Sequence, residues 1–378
     1  VRSSAASDVY KRQVAPLIDA QLIETTILLE INHQSLIATK TNRIVQAANG
    51  KPVSDFGARR AHNVDAAVYG ARAAYIGGAA GTATVLAGKM FHIPISGTMA
   101  HSWVMTFDSE YDAFKAYAES YPDGTVLLVD TYDVLKSGVP NAIRTAREVL
   151  EPMGKKLIGI RLDSGDLAYL SKEARKMLDE AGLSDCMIVA SNSLDEYTIS
   201  SLNRQGAKID SYGVGERLIT SSSTPVFGAV YKLVAIQKDG KFIPKIKISE
   251  TAEKITNPGI KEVYRVYDEN GKAVADYLAV KGEQIRDFDP VRYVDPVNYW
   301  KNRSFVGCRF KKLQVPVFEK GKRIYDLPDI EEIRQYVKDQ LENEIWEEEQ
   351  RFENAHTHYL DMSPTMFELK MSLLHEEN

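Results

Sequence analysis

The sequence predicts an α/β protein in which a parallel sheet is followed by a smaller domain of different character. Strand patterns recur roughly every thirty residues and alternate with helix patterns, which is the repeat of a β/α unit. The apolar run 157–160, which continues into Arg161, is typical of a buried parallel strand. After Gly228 the residues alternate more strictly between apolar and polar, which indicates antiparallel hairpins. Five or six β/α units favour a sheet closed into a barrel over an open one.

The sequence divides into four segments. Residues 1–13 are small and polar without a periodic apolar face, and we expect a disordered or non-native leader. Residues 14–52 form a partial N-terminal segment that is helical up to about residue 49, residues 53–228 form the barrel with the active site, and residues 229–378 form a C-terminal α+β segment.

The barrel segment contains six predicted strands, whose order in the sheet is left open. An Ala/Gly-rich region over 64–90 should form two helices interrupted near Gly77. The strands are expected at 53–57, 93–97, 126–129, 157–162, 187–190 and 209–212, and the later helices at 108–120, 141–150, 167–180 and 195–204.

The C-terminal segment carries hairpin signals and two final helices. Turn dipeptides at Asp239-Gly240 and Asn270-Gly271 separate alternating runs. Strands are expected at 230–236, 241–248, 263–267, 273–280 and 315–318, and helices at 329–353 and 366–374.

Composition narrows the class of protein. The 378 residues carry a net charge of −5 and are 44% hydrophobic and 26% charged, as in ordinary soluble domains. No long basic run occurs, which argues against duplex nucleic acid as a partner. Cys186 and Cys308 stand far apart, so they predict neither a disulfide framework nor a zinc knuckle and suit a reducing cytoplasm. Neither a membrane-spanning segment nor a signal peptide is expected.

The loop Asp163-Ser164-Gly165-Asp166 follows the central predicted strand. It places two carboxylates and a hydroxyl beyond the strand's carboxyl end, the edge at which α/β sheets bind ligands. The simpler alternative is a βα turn in which Asp163 caps the next helix. An N-cap needs only one such side chain and this loop offers three, so we favour a binding site.

His101 is a candidate base or nucleophile, because it lies beyond a predicted strand. The hydroxyls of Thr98 and Ser102 could fix its tautomer, whereas the alternative is a histidine at a helix start satisfied by backbone. His356 and His358 suggest a metal pair, although two ligands near the carboxyl terminus are a weak signal.

Arg59 and Arg60 could bind a carboxylate or a phosphate, since guanidinium groups hold both in bidentate fashion. Adjacent side chains leave a strand in opposite directions, so only one of the pair is expected to face the site. A surface salt bridge is the alternative for each.

Several acidic and glycine residues suggest a sugar-phosphate ligand. Asp130, Asp163 and Asp166 at neighbouring strand ends would repel one another unless they bind a cation or sugar hydroxyls, and Mg²⁺ with a diphosphate would suit them. Gly213 and Gly215 allow backbone amides to approach a phosphate. The run is not a dinucleotide fingerprint, because it lacks the third glycine.

Five motifs together resemble the nicotinate phosphoribosyltransferase family, over the chain from about residue 24 to the end. They are Asp55-Phe56-Gly57-Ala58-Arg59-Arg60-Ala61, Gly97-Thr98-Met99-Ala100-His101-Ser102-Trp103, Arg161-Leu162-Asp163-Ser164-Gly165-Asp166-Leu167, Ser191-Asn192-Ser193-Leu194-Asp195-Glu196 and Gly213-Val214-Gly215.

The resemblance implies a fold and a reaction. The fold would be an irregular (β/α) barrel of the type II phosphoribosyltransferase kind with a smaller α+β domain formed from both termini, acting as a homodimer. The reaction would join nicotinate to 5-phosphoribosyl 1-diphosphate, giving nicotinate mononucleotide and pyrophosphate for NAD salvage. ATP hydrolysis would drive it through a phosphohistidine.

The resemblance also implies roles for individual residues. His101 matches the phosphorylated histidine, and Arg59 would hold the nicotinate carboxylate. Arg161, Asp163 and neighbouring loop groups would bind the ribose and the diphosphate with Mg²⁺. The 5-phosphate would lie against Ser191, Asn192, Gly213 and Gly215.

Two alternatives and one departure accompany this interpretation. Nicotinamide phosphoribosyltransferase has no substrate carboxylate to bind, and Arg59-Arg60 favours the acid. A catalytically inactive barrel that binds a phosphorylated ligand is opposed by the intact His101 and Asp163.

The family begins with a segment carrying an acidic residue and a Tyr, which covers the nicotinate ring across the dimer. Residues 1–13 do not match it, so we expect impaired substrate binding with an unaffected catalytic core.

Overall fold

A computed structural model of the chain describes residues 11–250, 254–296 and 298–376; most of the predicted leader lies outside them. The chain forms two compact units, of which the larger is Gln34–Pro225 and the smaller combines Val1–His33 with Val226–Asn378. The boundary after His33 falls inside the second of two N-terminal helices, α1 (Leu17–Leu22) and α2 (Glu24–Ala47). The smaller unit therefore draws on both ends of the chain, as the resemblance implies.

A parallel sheet of six strands forms the centre of the larger unit and curls into a half-barrel, which confirms the predicted α/β class. Apolar residues on its strands, such as Leu127, Ile160 and Ile188, are completely buried. The strand order is β2-β1-β6-β5-β4-β3. The strands are β1 (Val53–Asp55), β2 (Gly81–Thr82), β3 (Val126–Leu128), β4 (Gly159–Leu162), β5 (Met187–Ala190) and β6 (Ser211–Val214).

Helices follow the strands, and polar side chains begin several of them. Asn63, Ser109 and Asp195 each accept a hydrogen bond from a first-turn amide, which satisfies one of the free donors at a helix start. The helices of this unit after α2 are α3 (Val64–Ile76), α4 (Val85–Phe91), α5 (His101–Met105), α6 (Glu110–Ser120), α7 (Val139–Thr145), α8 (Leu167–Glu180), α9 (Glu196–Arg204) and α10 (Glu216–Ile219).

Several predicted elements of this unit differ from the structure, among them the following. Residues 93–97 make only an isolated bridge from Ile95 to Thr82, because Pro94 has no amide proton to extend a ladder. The last strand runs two residues later than predicted, over Ser211–Val214 rather than 209–212. The helical run predicted at 141–150 already begins at Val134, where the Asp133 carboxylate accepts from two first-turn amides.

The smaller unit is mostly antiparallel. The hairpins predicted at Asp239-Gly240 and Asn270-Gly271 are confirmed by the pairing of neighbouring strands. The hairpin strands are β7 (Ala235–Lys238) with β8 (Lys241–Pro244), and β9 (Lys261–Tyr267) with β10 (Ala273–Val280); the later strands are β11 (Val291–Val294), β12 (Asn302–Phe305), β13 (Arg309–Lys312), β14 (Phe318–Glu319), β15 (Lys322–Arg323) and β16 (Leu360–Met362). A six-stranded sheet has the order β12-β11-β16-β10-β9-β13.

The long helix predicted over 329–353 is interrupted. It begins as α11 (Ile330–Asp339) with a capping box between Asp329 and Glu332. Ile345 and Trp346 are extended, and the chain resumes as a short α12 (Glu347–Gln350), followed later by α13 (Pro364–Glu376). The Gln350 amide donates to two carbonyls at the break, so a local side chain satisfies the interrupted backbone.

His358 belongs to an ion-pair cluster rather than to a metal site. Its ring lies between the carboxylates of Glu349 and Asp276, and Asp276 in turn forms a bidentate pair with Arg265. Burial alone would lower the pKa of His358, but the two carboxylates raise it to about 9. Among the described residues, no group of three or more His, Cys, Asp or Glu side chains is arranged so that it could hold a metal ion.

None of the helices in the described ranges is long and apolar enough to cross a membrane.

Candidate active site

Asp130 is the centre of a polar network at the carboxyl edge of the parallel sheet. It follows β3, and its side chain is 1% exposed. One carboxylate oxygen, Oδ1, lies 3.1 Å from Nε2 of His101. The other, Oδ2, accepts from the backbone amide of Asp163 at 3.0 Å and from the Ser164 hydroxyl at 2.6 Å. Asp130 therefore joins the loops that follow β3 and β4 to the imidazole.

His101 is the first residue of α5, and its side chain is 41% exposed. Because Nε2 faces the carboxylate of Asp130, an Nε2–H donor leaves the Nδ1 lone pair free. Asp130, rather than the predicted Thr98 and Ser102, is the side chain that faces the imidazole. The Thr98 hydroxyl accepts from Arg161 instead, and Ser102 is exposed on α5.

Arg161 connects three loops through its guanidinium. Its Nε donates to the Ser191 hydroxyl at 2.8 Å, Nη1 to the Thr98 hydroxyl at 2.9 Å, and Nη2 to Oδ1 of Asp163 at 2.9 Å. Ser191 in turn donates to Oδ1 of Asp163. This half-buried fork fixes the loops after β4 and β5 relative to the segment before α5, which a Lys side chain could not do.

Asp166, not Asp163, caps the helix after the central strand. Its carboxylate accepts from the Tyr169 amide at 3.0 Å at the start of α8. Gly165 has a φ of +76°, and a β-carbon there would lie 2.8 Å from a methyl group of Leu170. The tight turn therefore leaves Asp163 to the network while Asp166 serves the helix.

Phe56 is a site residue that the sequence interpretation missed. Its ring lies beside the Arg161 guanidinium, at 5.3 Å from the ring centre. A β-carbon on Gly213 would come within 2.3 Å of this ring, so the glycine makes room for it. The sequence does contain a signal for this contact. A glycine within a strand often marks a place where another group approaches the backbone closely, and an aromatic residue at the end of another strand could be that group.

The loops after β5 and β6 are neighbours because these strands pair in parallel. Ser191 is buried, whereas Asn192 and Ser193 are exposed and have positive φ values of 90° and 48°. A β-carbon on Gly215 would lie 3.3 Å from the Phe56 carbonyl oxygen. The backbone at Gly215 therefore approaches that of Phe56 closely, at the edge of the sheet where the loop after β5 also lies.

Arg59 and Arg60 lie in a single 3-10 turn (Ala58–Arg60) rather than on a strand, because β1 ends at Asp55. Both side chains are exposed, and neither guanidinium has a hydrogen-bond or ion-pair partner within the described ranges. Asp55 fixes the start of the turn by accepting from the amide of Gly57 at 2.8 Å and from the Thr82 hydroxyl at 2.7 Å. Its complete burial raises the pKa of the Asp55 carboxyl.

The carboxylates of the network suit a divalent cation only in part. Both oxygens of Asp130 already accept hydrogen bonds, whereas Oδ2 of Asp163 has no partner among the described residues. Mg²⁺ is commonly held by one or two carboxylates together with substrate phosphates and water. The residues therefore fit a cation that arrives with a diphosphate.

Comparison with known proteins identifies the family. The model of the nicotinate phosphoribosyltransferase (NAPRTase) family matches residues 52–271, and that of its C-terminal domain matches residues 260–370. This chain belongs to the nicotinate phosphoribosyltransferase family. The range 52–271 contains all five motifs on which the resemblance rests.

Individual relatives agree with that assignment. Nicotinate phosphoribosyltransferase from Bacillus subtilis (strain 168) is 50% identical over 97% of this chain and 74% of its own length. The enzyme of that name from Dictyostelium discoideum is 37% identical over 94% of this chain and 69% of its own. The crystal structure of human nicotinic acid phosphoribosyltransferase aligns over 95% of this chain and 78% of its own chain, with a TM-score of 0.83 and 26% identity. That structural similarity confirms the predicted fold.

Proposed function

We propose that this chain transfers the phosphoribosyl group of 5-phosphoribosyl 1-diphosphate to nicotinate, giving nicotinate mononucleotide and pyrophosphate in NAD salvage. One observation carries the proposal: His101, Asp130, Arg161 and Asp163 belong to a single hydrogen-bonded network at the carboxyl edge of the sheet. Membership of the family supports the same reaction.

The network suits a reaction in which charge separates at the sugar. The pyridine nitrogen of nicotinate forms a bond to C1 of the ribose as the C1–oxygen bond breaks and pyrophosphate leaves. In the transition state the sugar develops positive charge and the leaving group negative charge, which preorganised charged groups stabilise. We assign Arg161 to the diphosphate and Asp163 to the ribose and to the cation. Ser164, Gly165 and Asp166 would line the same loop.

Two other groups of residues would hold the ends of the substrates. Arg59 is exposed and its guanidinium has no partner in the part of the chain that the structure describes; we assign it to the nicotinate carboxylate, with Arg60 beside it. The 5-phosphate is assigned to the loops after β5 and β6, through Ser191, Asn192, Gly213 and Gly215. The close backbone approach at Gly215, next to the loop after β5, supports this assignment.

Coupling to ATP would pass through His101. The free Nδ1 lone pair would attack the γ-phosphorus of ATP, the bond to the ADP oxygen would break, and later hydrolysis would release inorganic phosphate. Asp130 supports this role, because its carboxylate at Nε2 stabilises the positive charge that forms on the ring. Thr98 and Ser102 flank the imidazole in sequence and would border the same nucleotide site.

Mg²⁺ is proposed as the cofactor. Asp163 would hold it through the oxygen without a partner, together with oxygens of the diphosphate. Bound there, the ion would neutralise charge on the leaving pyrophosphate.

We also propose a homodimer, which sedimentation velocity would test.

The test of this function is product formation. The purified protein is incubated with nicotinate, 5-phosphoribosyl 1-diphosphate and MgCl₂, with and without ATP, and nicotinate mononucleotide is measured by chromatography. We expect product in the wild type with a faster rate when ATP is present, and loss of the ATP stimulation in His101→Ala. Absence of product from folded wild-type protein would contradict the proposal.

Nicotinamide phosphoribosyl transfer is the alternative activity. Arg59 is exposed and has no partner among the described residues, which favours nicotinate, because a neutral carboxamide would leave that guanidinium without an anion. A competition between nicotinate and nicotinamide, repeated with Arg59→Gln, separates the two: loss of preference for the acid in the variant is the expected result. An inactive phosphate-binding barrel is opposed by the fully connected network around Asp130.

A further inference from the structure

The start of α9 is held from two sides by ion pairs on adjacent residues. Glu196 pairs with Lys40 of α2, at 2.8 and 2.7 Å from the ammonium nitrogen to the two carboxylate oxygens. Asp195 pairs with Arg217 of α10. The two carboxylates therefore connect one helix start to two different elements of the larger unit.

The pair between Lys40 and Glu196 is inaccessible to solvent. The side chains are 3% and 1% exposed, respectively. A buried charge that loses its partner is strongly unfavourable, so this pair fixes the first turn of α9 on α2. Its contribution is to the packing of the helix rather than to the loop edge.

The pair between Asp195 and Arg217 faces the neighbouring loop. The Asp195 side chain is 7% exposed, and the Arg217 side chain is 43% exposed. Burial tends to raise the pKa of Asp195, but hydrogen bonds from Thr198 and the contact with Arg217 hold it below the usual range. Asp195 is thus charged at neutral pH, and the ion pair is formed under working conditions.

The ion pair between Asp195 and Arg217 connects the loop after β5 to the loop after β6. Asp195 ends the loop that begins with Ser191 after β5, and Arg217 lies just beyond Gly215 after β6. Asn192 and Ser193 within the first loop both adopt the left-handed region, which non-glycine residues occupy only when their surroundings hold them there. Asn192 and Ser193 are exposed and supply little packing themselves, whereas Ser191 and Leu194 on either side of them are 3% and 1% exposed. The position of the two exposed residues therefore depends on the buried residues that flank them and on the ends of the loop.

We propose that Asp195 and Arg217 are positioning residues that set the spacing between the loops after β5 and β6, and with it the affinity for the 5-phosphate of the phosphoribosyl donor. This inference rests on the proposed function. It assigns to the pair no contact with the substrate: the effect passes through the loops that carry Ser191, Asn192, Gly213 and Gly215.

Steady-state kinetics of Arg217→Gln and Asp195→Asn provide the test. Asn retains the side-chain oxygen that caps α9, so the second variant removes the charge and keeps the cap. Because a misplacement of about an ångström can cost up to about 10²-fold, we expect the KM for 5-phosphoribosyl 1-diphosphate to rise about tenfold in each variant. The KM for nicotinate and kcat should change by less than about threefold. Arg217→Lys, which keeps the charge, should restore most of the affinity.

Arg175 offers a matched control, because it lies at the amino end of β5, whereas Asp195 belongs to the loop that follows the carboxyl end of that strand. It donates to the carbonyls of Cys186 and Leu183, just before β5, and pairs with Asp179. Arg175→Gln should therefore lower the melting temperature without raising the KM for 5-phosphoribosyl 1-diphosphate. A general loss of stability would instead affect all three variants alike.

The outcomes separate the inference from the proposed function. A double variant of Asp195 and Arg217 no worse than either single variant is the expected sign of coupling. A normal KM in Arg217→Gln, or the same rise in Arg175→Gln, would overturn the inference. So would a rise in Arg217→Gln without one in Asp195→Asn, which would indicate that Arg217 contacts the phosphate directly. If the wild type forms no nicotinate mononucleotide, the proposed function itself has failed.

Discussion

Replacing Asp130 by Asn should abolish phosphorylation of His101 while leaving the fold intact. In the wild type the carboxylate accepts from His101, from the Asp163 amide and from the Ser164 hydroxyl. The amide of Asn has one oxygen, which would stay with the two loop donors, and its NH₂ group would then face Nε2. The imidazole must respond by carrying its proton on Nδ1, and the nucleophilic lone pair is lost.

The magnitude follows from those contacts. Hydrogen bonds to a charged group contribute about 1.5–3 kcal/mol each, and two of the three survive with a neutral acceptor, so we expect the free energy of unfolding to fall by about 2 kcal/mol. A wrong tautomer in a comparable Asp–His pair lowers rates by about 10⁴-fold, so the yield of phosphohistidine should fall by at least about 10²-fold.

The assay is incubation with ATP labelled at the γ-phosphate, followed by mapping of acid-labile phosphate to peptides. Ser164→Ala is the control, because it removes one donor to Asp130 without changing the atom that faces His101. Wild-type labelling in Asp130→Asn would refute the reasoning, as would equal losses in the two variants.

Three further predictions concern the Arg161 fork, the close approach of Gly213 to the Phe56 ring and the half-buried His358. Arg161→Lys should lower kcat/KM by about 10²-fold in the product assay, because an ammonium group cannot reach the three acceptors of the guanidinium at once; a rate near that of the wild type would contradict this. Gly213→Ala should destabilise the protein by about 1–3 kcal/mol in urea unfolding, because its β-carbon would clash with the Phe56 ring, and an unchanged midpoint would show that the ring moves freely. His358 has a folded pKa of about 9, raised from 6.5, so its contribution of about 3 kcal/mol is complete below pH 6.5 and is lost as the pH rises through 9. Unfolding free energies measured from pH 6 to 10 should show that decline, and His358→Gln should flatten it; an equal slope in the variant would count against the ion pair with Asp276.

An element of the fold can be predicted from the sequence where the separate local signals for it agree with one another. The α8 helix is found over the residues expected, Leu167–Glu180, because a polar cap and an amphipathic face coincide there. The isolated bridge at Ile95 follows from the missing amide proton of Pro94, and the break near Ile345 adjoins hydrogen bonds from Tyr267 and Lys272, which are remote in sequence. Periodicity reports neither feature.

The sequence predicts that certain acidic residues meet at the sheet edge, but not how they pair. Asp130, Asp163 and Asp166 are expected at neighbouring strand ends, because the carboxyl ends of parallel strands share one edge. Which oxygen meets His101 depends on the curl of the sheet, and the hydroxyls next to it in sequence proved to be the wrong candidates. Phe56 was missed because an aromatic residue after a short strand is usually core.

The most direct measurement of the central claim is the initial rate of pyrophosphate release at saturating 5-phosphoribosyl 1-diphosphate, with nicotinate added or withheld. We predict release that depends on nicotinate in the wild type and is slower by about 10²-fold in Asp163→Asn, with both proteins folded. Release that is independent of nicotinate, or equal in the two proteins, would contradict the assignment of this network as a phosphoribosyl-transfer site.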